Sequence, residues 1–227
     1  MNGIELREQI KRFIQHSNHE WVIFGNELHE KNSFDDSDLD YLINEINKHK
    51  PHMLGLANLG LNDHQAAYIA KDLHGNTSLK CLYLPFNKIG DIGAKAIGEL
   101  LTTKPALTQL ILFYNRIRNA GMISIANGLI ANDTLLELEA FLNPFSTEIT
   151  GVFEKILRLN HHLENVLLYS PTGDIKESSV LLSRLADNKH RKKLQHLSMF
   201  KRSNTINQIN SSRSDLARDS SRSTYLL

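Results

Sequence analysis

The chain has 227 residues, 41% hydrophobic and 22% charged, with 26 Lys plus Arg against 25 Asp plus Glu for a formal net charge of +1. That length admits one compact domain or one elongated stack of repeats. The balanced charge excludes a global field that would draw in nucleic acid or an anionic membrane, so neither is expected as a partner. A single cysteine, Cys81, excludes a disulfide framework and cysteine-based zinc or iron-sulfur centres. No run of about 18 apolar residues occurs, and Met1 to Phe13 lacks the apolar stretch of a secretory signal. A soluble protein is expected, cytoplasmic or exported without a secretory signal peptide.

In chain order, Ile4, Ile10, Phe13 and Ile14 fall at helical spacing among polar residues and predict an N-terminal capping helix over 1–17. A loose first unit runs from Asn18 through Trp21, Ile23 and Asn26 to Leu28. Asp35, Asp36, Asp38 and Asp40 open a helix carrying Leu39, Leu42, Ile43 and Ile46, where the helix dipole favours negative charge. The Gly and distal Glu of a calcium loop are missing from that cluster. The segment PHMLGLANL at Pro51 to Leu59 keeps Leu54 and Leu56 of a pattern that then becomes regular. LKCLYLPFN at Leu79 to Asn87, LTQLILFYN at Leu107 to Asn115 and LLELEAFLN at Leu135 to Asn143 share L-x-x-L-x-L-x-x-N at a period of 28, with Ala140 as the one small substitution. LENVLLYSP from Leu163 keeps Val166 and Leu168 but puts Pro171 in the Asn slot, and LQHLSMF from Leu194 starts a last strand. Between strands, Ala66, Ile69, Ala70 and Leu73 predict an amphipathic helix. Ile92, Ala96, Ile97, Leu100 and Leu101 predict a second, and Ile123, Ala126, Leu129 and Ile130 a third.

Each unit is therefore strand, turn, helix, turn, and cannot bury its apolar faces alone, so neighbours must stack. Strands pack at ~4.8 Å whereas helices need ~8 to 10 Å, which bends the stack into an arc with a parallel sheet inside and helices outside. About six to seven units cover 18–200, followed by a polar, basic, disorder-prone tail over 201–227 with seven Ser and five Lys plus Arg. At the end of each strand a side-chain amide can satisfy both the amide and the carbonyl groups that the turn leaves unpaired, so Asn26, Asn87, Asn115 and Asn143 are expected to form a structural ladder. Gly90, Gly93 and Gly121 read as turn and close-packing positions rather than a phosphate-cradling loop.

The strand consensus, the 28-residue period and the segment IGDIGAKAIGELL at Ile89 to Leu101 resemble the ribonuclease-inhibitor type of leucine-rich repeat. The resemblance implies an α/β solenoid, a right-handed horseshoe segment that acts as a protein-binding scaffold.

With the consensus leucines pointing into the core, the intervening residues face out of the concave sheet. Tyr83, Ile111, Glu139 and Leu167 share one such column. Phe86, Phe113, Tyr114, Phe141, Tyr169 and Phe200 lie just before the Asn slots. Seven of the 16 aromatic residues sit at these outward positions, an exposure better explained by binding than by folding. These ten residues are the expected partner-binding face, with Glu137 beside Glu139 as an acidic rim and Arg116 and Arg118 at the neighbouring turn. Eleven histidines occur singly or in local pairs, none in a metal-ligand spacing, and Cys81 has no paired base. No catalytic residue, metal or cofactor is expected.

A Ser-rich basic tail on a leucine-rich repeat body resembles the effectors that intracellular bacteria inject into host cells, with type IV secretion the nearest analogy. The expectation is a monomeric, non-enzymatic scaffold for another protein, delivered as a bacterial effector into a host. The alternative is a regulator of a partner enzyme, of the GTPase-activating or ubiquitin-ligase adaptor type.

Overall fold

The computed structural model describes residues 7–8, 10–12, 19–25, 34–103, 105–169 and 181–193. The chain divides into two units, 1–188 and 189–227; the architecture that follows belongs to the first, and of the second only 189–193, helical, are described. Asn26, the predicted strand at 194–200 with Phe200, Pro171 and the tail lie outside the described residues.

Six strands, β1 (Glu20–Phe24), β2 (Met53–Ala57), β3 (Cys81–Tyr83), β4 (Gln109–Ile111), β5 (Glu137–Glu139) and β6 (Asn165–Leu167), form one parallel sheet in sequential order. Helices α1 (Asp36–His49), α2 (Asp63–Asp72), α3 (Asp91–Thr102), α4 (Asn119–Leu129) and α5 (Glu148–Ile156) connect them. The register follows the repeat: Leu54 pairs with Leu82, Leu82 with Leu110, Leu110 with Leu138 and Leu138 with Val166. A parallel strand pair exposes one set of side chains and buries the alternate set. Here the consensus leucines are buried, and one continuous apolar core runs from Ile10 to Leu185.

What locks unit to unit is polar. The Asn87 side-chain oxygen accepts from the backbone N–H groups of Leu59 (3.0 Å) and Leu61 (3.1 Å), while its amide donates to the carbonyls of Leu56 (2.7 Å) and Leu84 (3.1 Å). Asn115 repeats this one unit on, accepting from Ile89 and donating to Leu84 and Leu112. Asn143 does the same with Ile117, Leu112 and Ala140. Leu59, where the consensus would put Asn, is buried and supplies only its backbone to this network.

Two further columns run at the same period. Asn76, Asn132 and Asn160 each accept from the backbone N–H groups two and three residues ahead, folding the entry to the following strand. Asn132 also donates back to Leu101, Asn160 to Leu129 and Asn132, and Asn188 to Asn160 and Leu163. On the helical side, the N-caps of α3 and α4, Gly90 and Arg118, make no side-chain cap bond. The preceding unit supplies it: Asp63 accepts from the N–H groups of Gly90 (2.6 Å) and Gly93 (2.9 Å), and Asp91 from those of Arg118 (2.8 Å) and Gly121 (2.9 Å). A carboxylate at a helix N-terminus also complements the helix dipole. Gly93 and Gly121 make room for it, since a Cβ there would meet the carboxylate oxygen at 2.8 and 2.7 Å.

Helix orientation departs from the sequence expectation at three residues. Ile92 is 71% exposed, and Ile123 and Ile130 are exposed as well, whereas Gly93, Ala94, Ile97, Met122, Ile125, Ala126 and Leu129 turn inward. The physical reason is glycine. Gly98 and Gly128 bring α3 and α4 together backbone to backbone, a Cβ on Gly128 running into the Gly98 carbonyl. The buried stripe thus includes residues that carry no apolar weight.

The acidic cluster at α1 is absorbed by structure. Asp35 and Asp38 form a reciprocal capping box, Asp36 accepts from Gln65, and Asp40 accepts from the Tyr68 hydroxyl. At the N-terminal end, Ile10 is buried and the Arg7 guanidinium lies 5.5 Å above the Tyr41 ring.

Replacing Gly128 by Ala should cost about 1–3 kcal/mol by overpacking, a fall in Tm of several degrees. Gly151→Ala, in α5 with open space around it, should stabilise by about 0.5–1 kcal/mol through helix propensity. Thermal melts of the two variants check both signs.

Candidate functional site

The sheet face away from the helices is built from alternate strand residues in two register columns. The first holds Glu20, Met53, Cys81, Gln109, Glu137 and Asn165. The second holds Val22, Gly55, Tyr83, Ile111, Glu139 and Leu167. Phe113, Phe141 and Tyr169 lie two residues beyond the ends of β4, β5 and β6.

Aromatic rings make one connected run across these strands. Tyr83 meets Phe113 edge-on at 6.0 Å between centroids, and Phe86 meets Phe113 at 5.3 Å, also edge-on. Phe86 stacks on Tyr114 at 4.8 Å, Phe113 on Phe141 at 4.6 Å and Phe141 on Tyr169 at 4.6 Å. Contacts of this geometry contribute roughly 0.5–1.5 kcal/mol each beyond burial. The run nevertheless stays open to solvent: Phe86, Tyr114 and Tyr169 are 46%, 50% and 44% exposed. Tyr83, Phe113, Phe141, Glu139 and Leu167 are half-buried. Ile111, expected to face outward, lies in the outward column but is only 7% exposed and forms a floor.

Backbone geometry aims two of the rings. Asn58, Phe86, Tyr114 and Leu142 occupy equivalent positions one residue before the Asn slot, and all four are left-handed, with φ of 56°, 58°, 54° and 55°. That conformation is costly for large side chains. It is held by the next unit, because the N–H of each residue donates to a carbonyl there: Asn58 to Pro85, Phe86 to Phe113, Tyr114 to Phe141 and Leu142 to Tyr169. Asn is among the residues that accept this conformation best, so aromatics at 86 and 114 are not a requirement of the turn.

Beside the rings the face is acidic. Glu137 accepts from the Gln109 and Asn165 side-chain amides, each at 2.7 Å. The Glu139 carboxyl has no hydrogen-bond or ion-pair partner among the described residues. Burial, and then the neighbouring Glu137 charge, push it above the usual carboxylate range.

The Cys81 thiol is pushed up to about 11, first by burial and then by Glu137, Glu139 and Glu20, the reverse of an activated nucleophile. Among the described residues no group of three or more His, Cys, Asp and Glu is placed to hold a metal. His49 pairs with Glu45 at 3.3 Å, and the His19 and His52 rings lie 5.2 Å apart. No helix among the described residues is long and apolar enough to cross a membrane.

The parallel sheet, the alternating helices and the repeat define an α/β leucine-rich repeat solenoid. The family described as Leucine Rich repeat matches residues 75–98 and 104–126, and no curated protein matches the chain. Among solved structures, the chain is similar to the leiomodin-1 actin-binding site 2, at 22% identity over 73% of this chain and 98% of that one, with a TM-score of 0.59. It is also similar to the tropomodulin C-terminal domain of Caenorhabditis elegans, at 15% identity over 71% of this chain and 99% of that one, with a TM-score of 0.60. Likeness at these identities is likeness of fold.

Two measurements probe the face. A carboxyl whose folded pKa is raised costs stability once pH exceeds the ordinary carboxylate range. Glu139→Gln should therefore raise Tm at pH 7, and the gain should vanish at about pH 3, below the ordinary Glu value. With a thiol near 11, roughly one Cys81 in a thousand is thiolate at pH 8; alkylation by iodoacetamide should be orders of magnitude slower in the native protein than in denaturant.

Proposed function

We propose that this chain is a non-enzymatic scaffold that binds another protein through the aromatic side of its concave sheet, the face lined by Tyr83, Phe86, Ile111, Phe113, Tyr114, Glu139, Phe141, Leu167 and Tyr169. One observation carries this reading: a connected run of rings, three of them close to half exposed, with Phe86 and Tyr114 displayed from a strained backbone conformation. Strain kept at a position where Asn would serve is the mark of a functional constraint, and large aromatics in a rigid array are good anchors for a partner. The similar leiomodin-1 domain is described as an actin-binding site; that is a property of that protein, and it agrees in kind with a protein partner here. Kinship with the ribonuclease-inhibitor type of repeat belongs to the same reading. So does a role as a secreted bacterial effector in a host cell, which rests on the tail's resemblance and is tested by a translocation assay with the tail removed.

The test uses a double variant, Phe86→Asn with Tyr114→Asn, which keeps the backbone conformation that Asn58 already adopts. Circular dichroism should show native secondary structure. In a pull-down from eukaryotic cell lysate, a protein retained by the wild type should be lost on the variant. Equal retention by the folded variant overturns the assignment of the face.

A further inference from the structure

We infer that the partner presents an arginine or lysine next to a large apolar side chain in an extended segment, the cation seating over Ile111 against Glu139 and the apolar group on the exposed rings of Phe86 and Tyr114. This rests on the reading of the aromatic face as a protein-binding surface and names the chemistry it selects.

The register builds the seat. Tyr83, Ile111 and Glu139 are paired in consecutive strands, so Tyr83 and Glu139 flank Ile111 at about 10 Å from one another, two strand spacings. Ile111, at 7% exposure, is already covered by its neighbours and closes the bottom of the seat, so the methylene stem of a long basic residue would lie across the half-buried side chains above it. Along one side stand Phe113 and Phe141, stacked face to face, with the Tyr83 ring turned 81° to Phe113, so that this wall offers apolar contact to the stem while the charge goes to Glu139. On the other side Glu137 is held by Gln109 and Asn165, which keeps a second negative charge beside Glu139.

Among the described residues this charge is unanswered. No Lys, Arg or His among the described residues forms an ion pair with Glu137 or Glu139. Glu20 adds a third carboxylate on the same face, in the Glu137 column. A half-buried carboxylate without a partner destabilises the free protein and is relieved when a cation arrives, so the site discriminates by charge as well as by shape. An anionic segment, a nucleic acid or an anionic headgroup would be repelled. An apolar peptide without a cation would leave Glu139 covered and unpaired, a cost that selects against it. Arginine fits best, since its planar guanidinium can pair a carboxylate through two N–H groups at once.

The test pans a phage-displayed library of random 12-residue peptides on the immobilised 227-residue chain, on Glu139→Gln and on the Phe86→Asn, Tyr114→Asn double variant, followed by sequencing. Wild-type selections should be enriched in Arg or Lys within two positions of Trp, Phe or Leu. Selections on Glu139→Gln should keep the apolar enrichment and lose the basic one. The best synthetic peptide should bind Glu139→Gln about tenfold more weakly by calorimetry, as loss of one charged contact predicts. Its affinity for the wild type should fall with added salt more steeply than for the variant. Apolar peptides without a basic residue, or basic enrichment unchanged on Glu139→Gln, would overturn the cation seat while leaving the aromatic face standing. Peptides indifferent to all the substitutions, or no selection on the wild type, would overturn both. A wild-type dimer in sedimentation that the double variant loses would give the face to a second copy instead.

Discussion

A backbone that turns away at the end of every strand leaves polar groups under the surface that its own unit cannot satisfy, and the whole solenoid is arranged around meeting that need from the neighbouring unit. Asn87, Asn115 and Asn143 do so with one side chain each, the oxygen reaching backbone N–H groups and the amide reaching carbonyls in two successive units. A buried amide or carbonyl left without a partner costs about 1–3 kcal/mol, so one Asn per unit controls several such costs. The Asn76, Asn132 and Asn160 column meets the same need at the helix-to-strand turn, and Asp63 and Asp91 meet it at the helix N-termini. Leucine burial drives the stacking; the amide and carboxylate columns fix its register.

That fixed register is what permits an aromatic array at all. Ring contacts of 4.6 to 6.0 Å across successive strands require each unit to sit at a constant offset from the last. The left-handed residues at 86 and 114 are likewise held by hydrogen bonds into the following unit. The strain at those positions and the exposure of the rings are two sides of one arrangement: a scaffold rigid enough to impose an unfavourable backbone conformation can display a large side chain that would otherwise fold back over the core.

Strands and the first Asn column are legible in the sequence because leucine and asparagine recur at one spacing with distinct chemistry. The helix faces are less so. Ile92, Ile123 and Ile130 are strong apolar residues on exposed positions, whereas Gly93, Gly98, Gly121 and Gly128 line the buried face with no hydrophobic signal. The second Asn column is harder to read because Asn followed by Ser, Thr or His resembles an ordinary turn and Lys104 interrupts it; its one clue is that Asn76, Asn132 and Asn160 each stand three residues before Leu79, Leu135 and Leu163. Asp63 and Asp91 carry no distinctive signal within a single unit, and only the stacked units reveal that they cap the helix of the next. On the concave face the direction of each side chain follows from alternation. The stacking order, the burial of Ile111 and the solitary state of Glu139 do not, since they depend on distances between strands that no single unit encodes.

The capping carboxylates point one way along the chain and the ladder amides the other. Asp63 and Asp91 reach forward, while Asn115 and Asn143 hold N–H groups of the preceding unit. Residues joined in this manner lie 26 to 31 positions apart, so the bonds span the helix-to-strand turns from α2 through β5. The chain connection between α3 and β4 is thus paralleled by non-covalent ties: on either side of that turn the two halves of the solenoid present complementary polar edges, a carboxylate on one and an amide on the other, each facing backbone groups across the turn, that match at a single register.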